Sequence, residues 1–164
     1  TVDLAAMQGA SRAIMVVLML IGGASGSTAG GMKVNTVGVL FANVGAIFRR
    51  RNEVEAFGRR IDPATVRQAA VIVTMYLTLF IGGGVAISAI EGLPIGSCLY
   101  ESASAVATVG LTLGITPSLG VASQLILTVQ MYLGRVGGLT LIYAAVSSKK
   151  SGNAKLPQER ITIG

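Results

Sequence analysis

The stretch Gly22-Gly23-Ala24-Ser25-Gly26-Ser27-Thr28-Ala29-Gly30-Gly31 is ten small residues, five of them glycine, set inside a long apolar run. From Ala13 to Phe48 the chain holds 36 residues whose only charge is Lys33. At about 1.5 Å per residue a straight helix of that length would reach roughly 54 Å, against a hydrocarbon core near 30 Å. Each glycine costs about 0.8–1 kcal/mol relative to alanine inside a helix. The run is therefore expected to break at Gly22–Gly31 into two half-helices joined by an irregular loop. At membrane depth such backbone is tolerated only where protein buries it or where it lines a wet cavity. Close helix packing through small residues is the alternative, but ten in a row exceed what one such contact uses.

The whole composition agrees with a membrane reading. Of 164 residues, 52% are hydrophobic and only 12% charged, about half the charged share of a soluble domain, which is roughly 25%. Without histidine there is no Ser/His/Asp or Cys/His catalysis and no imidazole metal site, and the single Cys98 allows neither an intrachain disulfide nor a zinc cluster. The chain is thus not read as an enzyme. The net charge of +6 does not point to nucleic acid, because the basic residues sit between apolar runs and are not interleaved with aromatics.

Two further spans are expected. Gln68 to Ile90 is an uncharged run of 23 residues, and Val121 to Ser148 is one of 28 with a single charge, Arg135, near its midpoint. Residues 49–67 carry Arg49, Arg50, Arg51, Arg59, Arg60 and Arg67, and the tail carries Lys149, Lys150, Lys155 and Arg160, while residues 91–120 carry no Lys or Arg. The positive-inside rule then places 49–67 and the tail in the cytoplasm and 91–120 outside. Within the cytoplasmic stretch, Glu53 to Ile61 alternates weakly around Gly58, which predicts a short hairpin. No signal peptide or low-complexity segment is legible.

The outer stretch Pro94 to Ser118 is too short and polar to cross and return, yet too apolar for a free loop. A re-entrant segment fits: Ser97 caps a short helix through about Ala107, and Thr108-Val109-Gly110-Leu111 returns as an extended strand. The fold class expected is all-α integral membrane, built from helix, pore loop, helix repeats with one broken transmembrane helix. Sliding the sequence by 112 positions matches Ala10, Ser11, Ile14, Val17, Met19, Gly22, Gly26 and Thr28 with Ala122, Ser123, Ile126, Val129, Met131, Gly134, Gly138 and Thr140, eight identities in 19 positions. The copy of Thr108 to Leu111 would fall before residue 1, so the chain is expected to begin partway through a repeat.

An ion shedding water needs replacement oxygens, and a short segment such as Thr108, Val109, Gly110 and Leu111 can turn backbone carbonyls toward it, as filters of the TVGYG kind do. The negative end of the preceding helix dipole favours a cation at that place. The tripeptide alone is weak evidence; its position after a short helix, between two spans, is what gives it weight. Arg135 at mid-span should face a cavity, either as part of a gate or ion path or as a structural arginine paired with carbonyls or with a carboxylate such as Glu101. Lys33 belongs to the inner cavity or snorkels. The 49–67 arginines are orientation signals or a docking surface. Glu91, Glu101 and Asp3 are read as solvated surface charge rather than as a cation lure, and Cys98 as merely small.

These residues resemble the Trk/Ktr/HKT superfamily of potassium transporters, and specifically the membrane subunit of bacterial Ktr-type systems. The likeness rests on Gly22 to Gly31 with Met32-Lys33, on Ala107 to Leu111, on Gly114 to Leu119, on Gly134-Arg135-Val136-Gly137, on Val54 to Ile61 and on the closing Glu159 to Gly164. Members have four repeats around one pore, which implies here the last, broken helix of the third repeat (1–49), a cytoplasmic connection (50–66), the fourth repeat (67–148) and a cytoplasmic tail (149–164). The resemblance further implies K⁺ held by Thr108, Val109 and Gly110 in a filter running to Leu111. It implies a gate formed by Gly22, Gly23, Ala24, Ser25, Gly26, Ser27, Thr28, Ala29, Gly30 and Gly31, with Arg135 beside it. K⁺ is then the carried ion, with Na⁺ a candidate coupling ion and symport a candidate mode, and this chain holds no organic cofactor. The implied partners are membrane lipid, a second full-length subunit in a homodimer and a cytoplasmic nucleotide-binding regulatory ring, with no nucleic acid; the implied location is the bacterial cytoplasmic membrane. Rival readings are a Na⁺ or other monovalent cation transporter of the same fold, a non-conducting scaffold that recruits a cytoplasmic protein and, weakest, a membrane-embedded enzyme.

Overall fold

A computed structural model of the chain describes Leu4, residues 6–51 and residues 53–137. The basic tail 149–164, the second half of the run Val121–Ser148 and the repeat positions Gly138 and Thr140 lie outside the described residues, as does Asp3.

The long apolar run does break at its glycines. Helix α1 spans Gly9–Leu20 and α2 spans Val34–Phe48, and between them Ile21 to Lys33 forms neither helix nor regular strand. A tight hairpin follows, β1 Glu55–Ala56 against β2 Arg59–Arg60. Its two-residue turn holds Phe57 at φ +53° and Gly58 at +72°, the positive-φ pair of a hairpin turn whose twist matches its strands.

Helix α3, Pro63–Glu91, is the one helix among the described residues long and apolar enough to cross a membrane. It begins before the uncharged run because Asp62 accepts from the Ala64 amide at 3.0 Å and Pro63 takes the first helical position. It ends on Gly92 in the left-handed conformation, φ +66°. At roughly 1.5 Å per residue its 29 residues reach about 44 Å.

Helix α4, Ile95–Val106, follows after three residues and is the buried centre of the molecule: Cys98 and every residue from Tyr100 to Val106 are buried. Its 12 residues reach only about 18 Å, well short of a span. Ser97 does not cap it; Pro94 stands at the N-cap, and the Ser97 amide bonds the Pro94 carbonyl one turn inside. Proline wins the position because its fixed φ and missing N–H suit a helix entry. Helices α1, α3 and α5 (Val121–Val136) all pack on α4, and α2 packs on α3. Small residues make this possible: Leu99 fills the space where Gly84 of α3 would carry a Cβ, and the Val106 carbonyl fills that of Gly134 in α5. One apolar cluster joins Met19, Leu20 and Met32 to Tyr76, Tyr100 and Val106; a second joins Ile87, Cys98, Ala105 and Leu127.

Helix α5 stops earlier than the apolar run. Gly137 at φ +84°, ψ 140° leaves the helix, which puts Arg135 in its last turn and not at the middle of a 28-residue helix. Large apolar side chains stand on the outside, among them Phe41, Phe48, Ile14, Leu18, Leu125 and Tyr132. Such a surface needs lipid or further protein to cover it.

Candidate functional site

The irregular segment after α1 is closed at its base. Ile21 and Met32 form an isolated parallel bridge, with the Gly22 amide donating to the Met32 carbonyl at 2.7 Å and the Met32 amide to the Leu20 carbonyl at 3.3 Å. Gly22 is required here, since a Cβ would meet the carbonyl oxygens of Gly30 and, at 2.9 Å, Met32. Gly31, at φ +75°, lies against Ala107 at the end of α4. The loop tip is shaped by cationic side chains. Lys33 Nζ turns back to donate to the carbonyls of Ser27 (2.9 Å) and Ala29 (2.6 Å), and Arg135 Nη1 donates to the carbonyl of Thr28. Of the alternatives open for Arg135, the partner found is a carbonyl and not Glu101. Lys33 is spent on the loop's own backbone.

The segment after α4 begins with two bonds that finish the helix, Thr108 N–H to Ala105 O (3.1 Å) and Val109 N–H to Ser104 O (3.0 Å). That pair is a Schellman ending, which places the residue occupied by Thr108 in the left-handed region where glycine is usual. Thr108 sits there at φ +54°, costly for a β-branched residue and sustained only where surroundings over-determine it. Gly110 is also positive, at φ +81°, while Val109 and Leu111 are not. Thr108 to Leu111 is therefore not an extended strand. A strand would send successive carbonyls to opposite sides, and positive φ at every second residue breaks that alternation. Among the described residues, no carbonyl from Thr108 to Leu111 accepts a hydrogen bond.

Loop and return segment meet at one point. The Gly30 amide donates to Thr108 Oγ1 at 3.1 Å, and a Cβ on Gly30 would collide with the threonine side chain. Thr108 stands between two cavities. One, of about 610 Å³, is lined also by Glu101, Gly110, Thr112 and Arg135; the other, of about 440 Å³, is lined by Gly22, Gly23, Ala29 and Gly30. The structure thus brings Thr108, Gly110, Leu111 and Arg135 around one cavity, and Thr108, Val109 and the loop residues Gly22, Gly23, Ala29 and Gly30 around the other. Lys33 lies behind the loop and lines neither cavity.

The profile of the TrkH family, described as cation transport proteins, matches residues 1–155. The chain belongs to that family. It is 36% identical to the potassium/sodium uptake protein NtpJ of Enterococcus hirae, over 100% of this chain and 38% of that protein. It is 34% identical to the Ktr system potassium uptake protein B of Bacillus subtilis and 33% to that of Vibrio alginolyticus, again over all of this chain and 37% and 36% of theirs. The chain spans little more than a third of the length of these relatives. The resemblance drawn from the loop and the Thr108 motif is therefore correct at family level, and the family is one of transporters, not enzymes.

Sequence reasoning missed two polar centres. Glu101 is not solvated surface charge: it is 4% exposed. The signal was present, an acid within the short stretch 95–106 that otherwise holds no charge. The second is Gln130, buried in α5, whose Nε2 donates to Leu79 O (2.7 Å) and Ser102 Oγ (2.9 Å) while Ser102 Oγ donates to Phe80 O (2.7 Å). These bonds tie α3, α4 and α5 together; Gln130 fits only because Gly83 has no Cβ.

Proposed function

We propose that this chain is the C-terminal part of the pore-forming subunit of a bacterial K⁺ uptake system, in which Thr108 to Leu111 offer carbonyls to K⁺ and the Gly22–Gly31 loop gates the ion's path. The observation that carries this reading is the Gly30 to Thr108 bond, which seats the glycine loop directly against a segment whose carbonyls accept no hydrogen bond among the described residues. Arg135 acts as an electrostatic barrier, held at the loop by the Thr28 carbonyl, and Lys33 stiffens the loop from behind. Residues 1–49 are then the last, broken helix of a third repeat, 50–66 a cytoplasmic hairpin connection, 67–148 a fourth repeat and 149–164 a cytoplasmic tail. The equal offset of 112 residues between the starts of α1 at Gly9 and α5 at Val121 supports the repeat. One segment supplies one side of a filter, so the pore needs the other repeats of the full-length protein. The Ktr relatives support a membrane subunit that works with other components; a homodimer and a nucleotide-binding ring on the basic cytoplasmic face complete the assembly.

The test is uptake by the complete protein in a bacterial strain that lacks its own K⁺ uptake. Growth at low K⁺ and saturable K⁺ influx are expected; the scaffold reading predicts neither. The E. hirae relative, named for potassium and sodium, favours a second measurement, Na⁺ uptake by the same cells, which decides between K⁺ transport and transport of either ion.

A further inference from the structure

The carboxylate of Glu101 lies in the middle of α4, is 4% exposed, and among the described residues has no basic side chain bonded to it. Burying an anion without a countercharge is expensive unless donors replace its water. The donors all come from one place. Oε1 accepts from Thr112 Oγ1 at 2.7 Å and from the Leu113 amide at 2.9 Å, and Oε2 accepts from Thr116 Oγ1 at 2.8 Å. The segment so held is closed on itself, for Thr112 Oγ1 also lies 3.0 Å from Thr116 Oγ1 and accepts from the Gly114 amide at 2.9 Å.

Thr108 to Leu111 is thereby pinned at both ends. At its start the Thr108 and Val109 amides bond the last turn of α4, and directly after its end Thr112 and Leu113 bond Glu101 of the same helix. Between these anchors stand the two positive-φ residues, Thr108 and Gly110, a conformation that persists only if something outside the segment imposes it. Three hydrogen bonds from the following segment into one buried side chain are suited to do so.

We infer that Glu101 is a positioning residue for ion discrimination: its carboxylate fixes the far end of Thr108–Leu111 and so sets where the carbonyls stand. It touches no ion itself. This rests on the carbonyl-filter reading above.

The experiment is K⁺ and Na⁺ uptake by the full-length protein in an uptake-deficient strain, with membrane abundance measured alongside. Glu101→Ala is expected to lower K⁺ over Na⁺ discrimination by about tenfold, the scale of one bond to a charged acceptor, whereas Glu101→Gln, which still offers Oε1 to Thr112 and Leu113, retains most of it. Thr116→Val should lower discrimination by a smaller factor and Thr116→Ser should not, a pair that decides the matter even if Glu101→Ala fails to reach the membrane. Glutamine as damaging as alanine would mean that charge, not bracing, matters; unchanged discrimination in Glu101→Ala, or equal behaviour of Thr116→Val and Thr116→Ser, would equally overturn the inference. A wild-type protein that carries no K⁺ would instead overturn the filter reading beneath it.

Discussion

Two irregular segments meet at the Gly30–Thr108 bond, and they are held by opposite chemistry. The loop from Ile21 to Lys33 has its tip carbonyls, those of Ser27, Thr28 and Ala29, occupied by the cationic donors Lys33 and Arg135. In the segment from Thr108 to Leu113 the bonded backbone groups are donors instead: the Thr108 and Val109 amides to the end of α4 and the Leu113 amide, with the Thr112 hydroxyl, to the Glu101 carboxylate. Its carbonyls are left over. Cationic donors occupy acceptors at the loop tip, whereas the Glu101 carboxylate occupies donors of the return segment.

Substitutions can break this contrast from either side. The largest effect is expected at Gly110, where positive φ costs an L-residue about 1–2 kcal/mol. Gly110→Ser in the full-length protein should cut K⁺ over Na⁺ discrimination by about tenfold or more, a cost of that order being worth close to one factor of ten; uptake competition between the two ions measures it, and equal selectivity would remove this segment from the ion's path. Next is Gly30→Ala. The new Cβ meets the Thr108 side chain, so the loop must withdraw, and K⁺ flux should change several-fold while the protein still folds. Arg135→Ala removes the charged donor from the Thr28 carbonyl, an interaction of about 1.5–3 kcal/mol when well formed, and should raise or deregulate K⁺ flux by a few-fold; unchanged flux and gating would show that charge does not hold the loop shut. Lys33→Met frees the Ser27 and Ala29 carbonyls from behind the loop and should shift flux in the same direction but less, which flux measured beside Arg135→Ala ranks. The smallest effect is at the hairpin. The Arg51–Glu55 pair, 3.0 Å apart with both side chains about half exposed, belongs to a class worth about 0.2–1 kcal/mol, so Arg51→Ala should leave K⁺ uptake unchanged and thermal stability nearly so.

The broken helix was legible because glycine spacing and span length are properties of the chain itself: ten small residues inside a run too long for the bilayer leave few other solutions. The hairpin around Phe57-Gly58 and the short helix before Thr108 were legible for the same local reason. The ends of elements were less so. Ser97 looked like a cap, but Pro94 took the position, and the apolar run from Val121 concealed the end of α5 at Gly137, because hydropathy records what lipid tolerates and not where backbone turns.

What the sequence alone determined, then, is the arrangement along the chain: an apolar composition without catalytic histidine, the break at Gly22–Gly31, the Thr108-Val109-Gly110-Leu111 motif after a short helix, and a lone arginine in the last apolar run. Only the tertiary structure decided which charges meet which backbone. Glu101 and Thr116 are separated by 15 residues, Arg135 and Thr28 by 107. A hydrogen bond acts over about 3 Å, so its partners are set by how α4 seats among α1, α3 and α5. Periodicity along one helix carries no record of that seating.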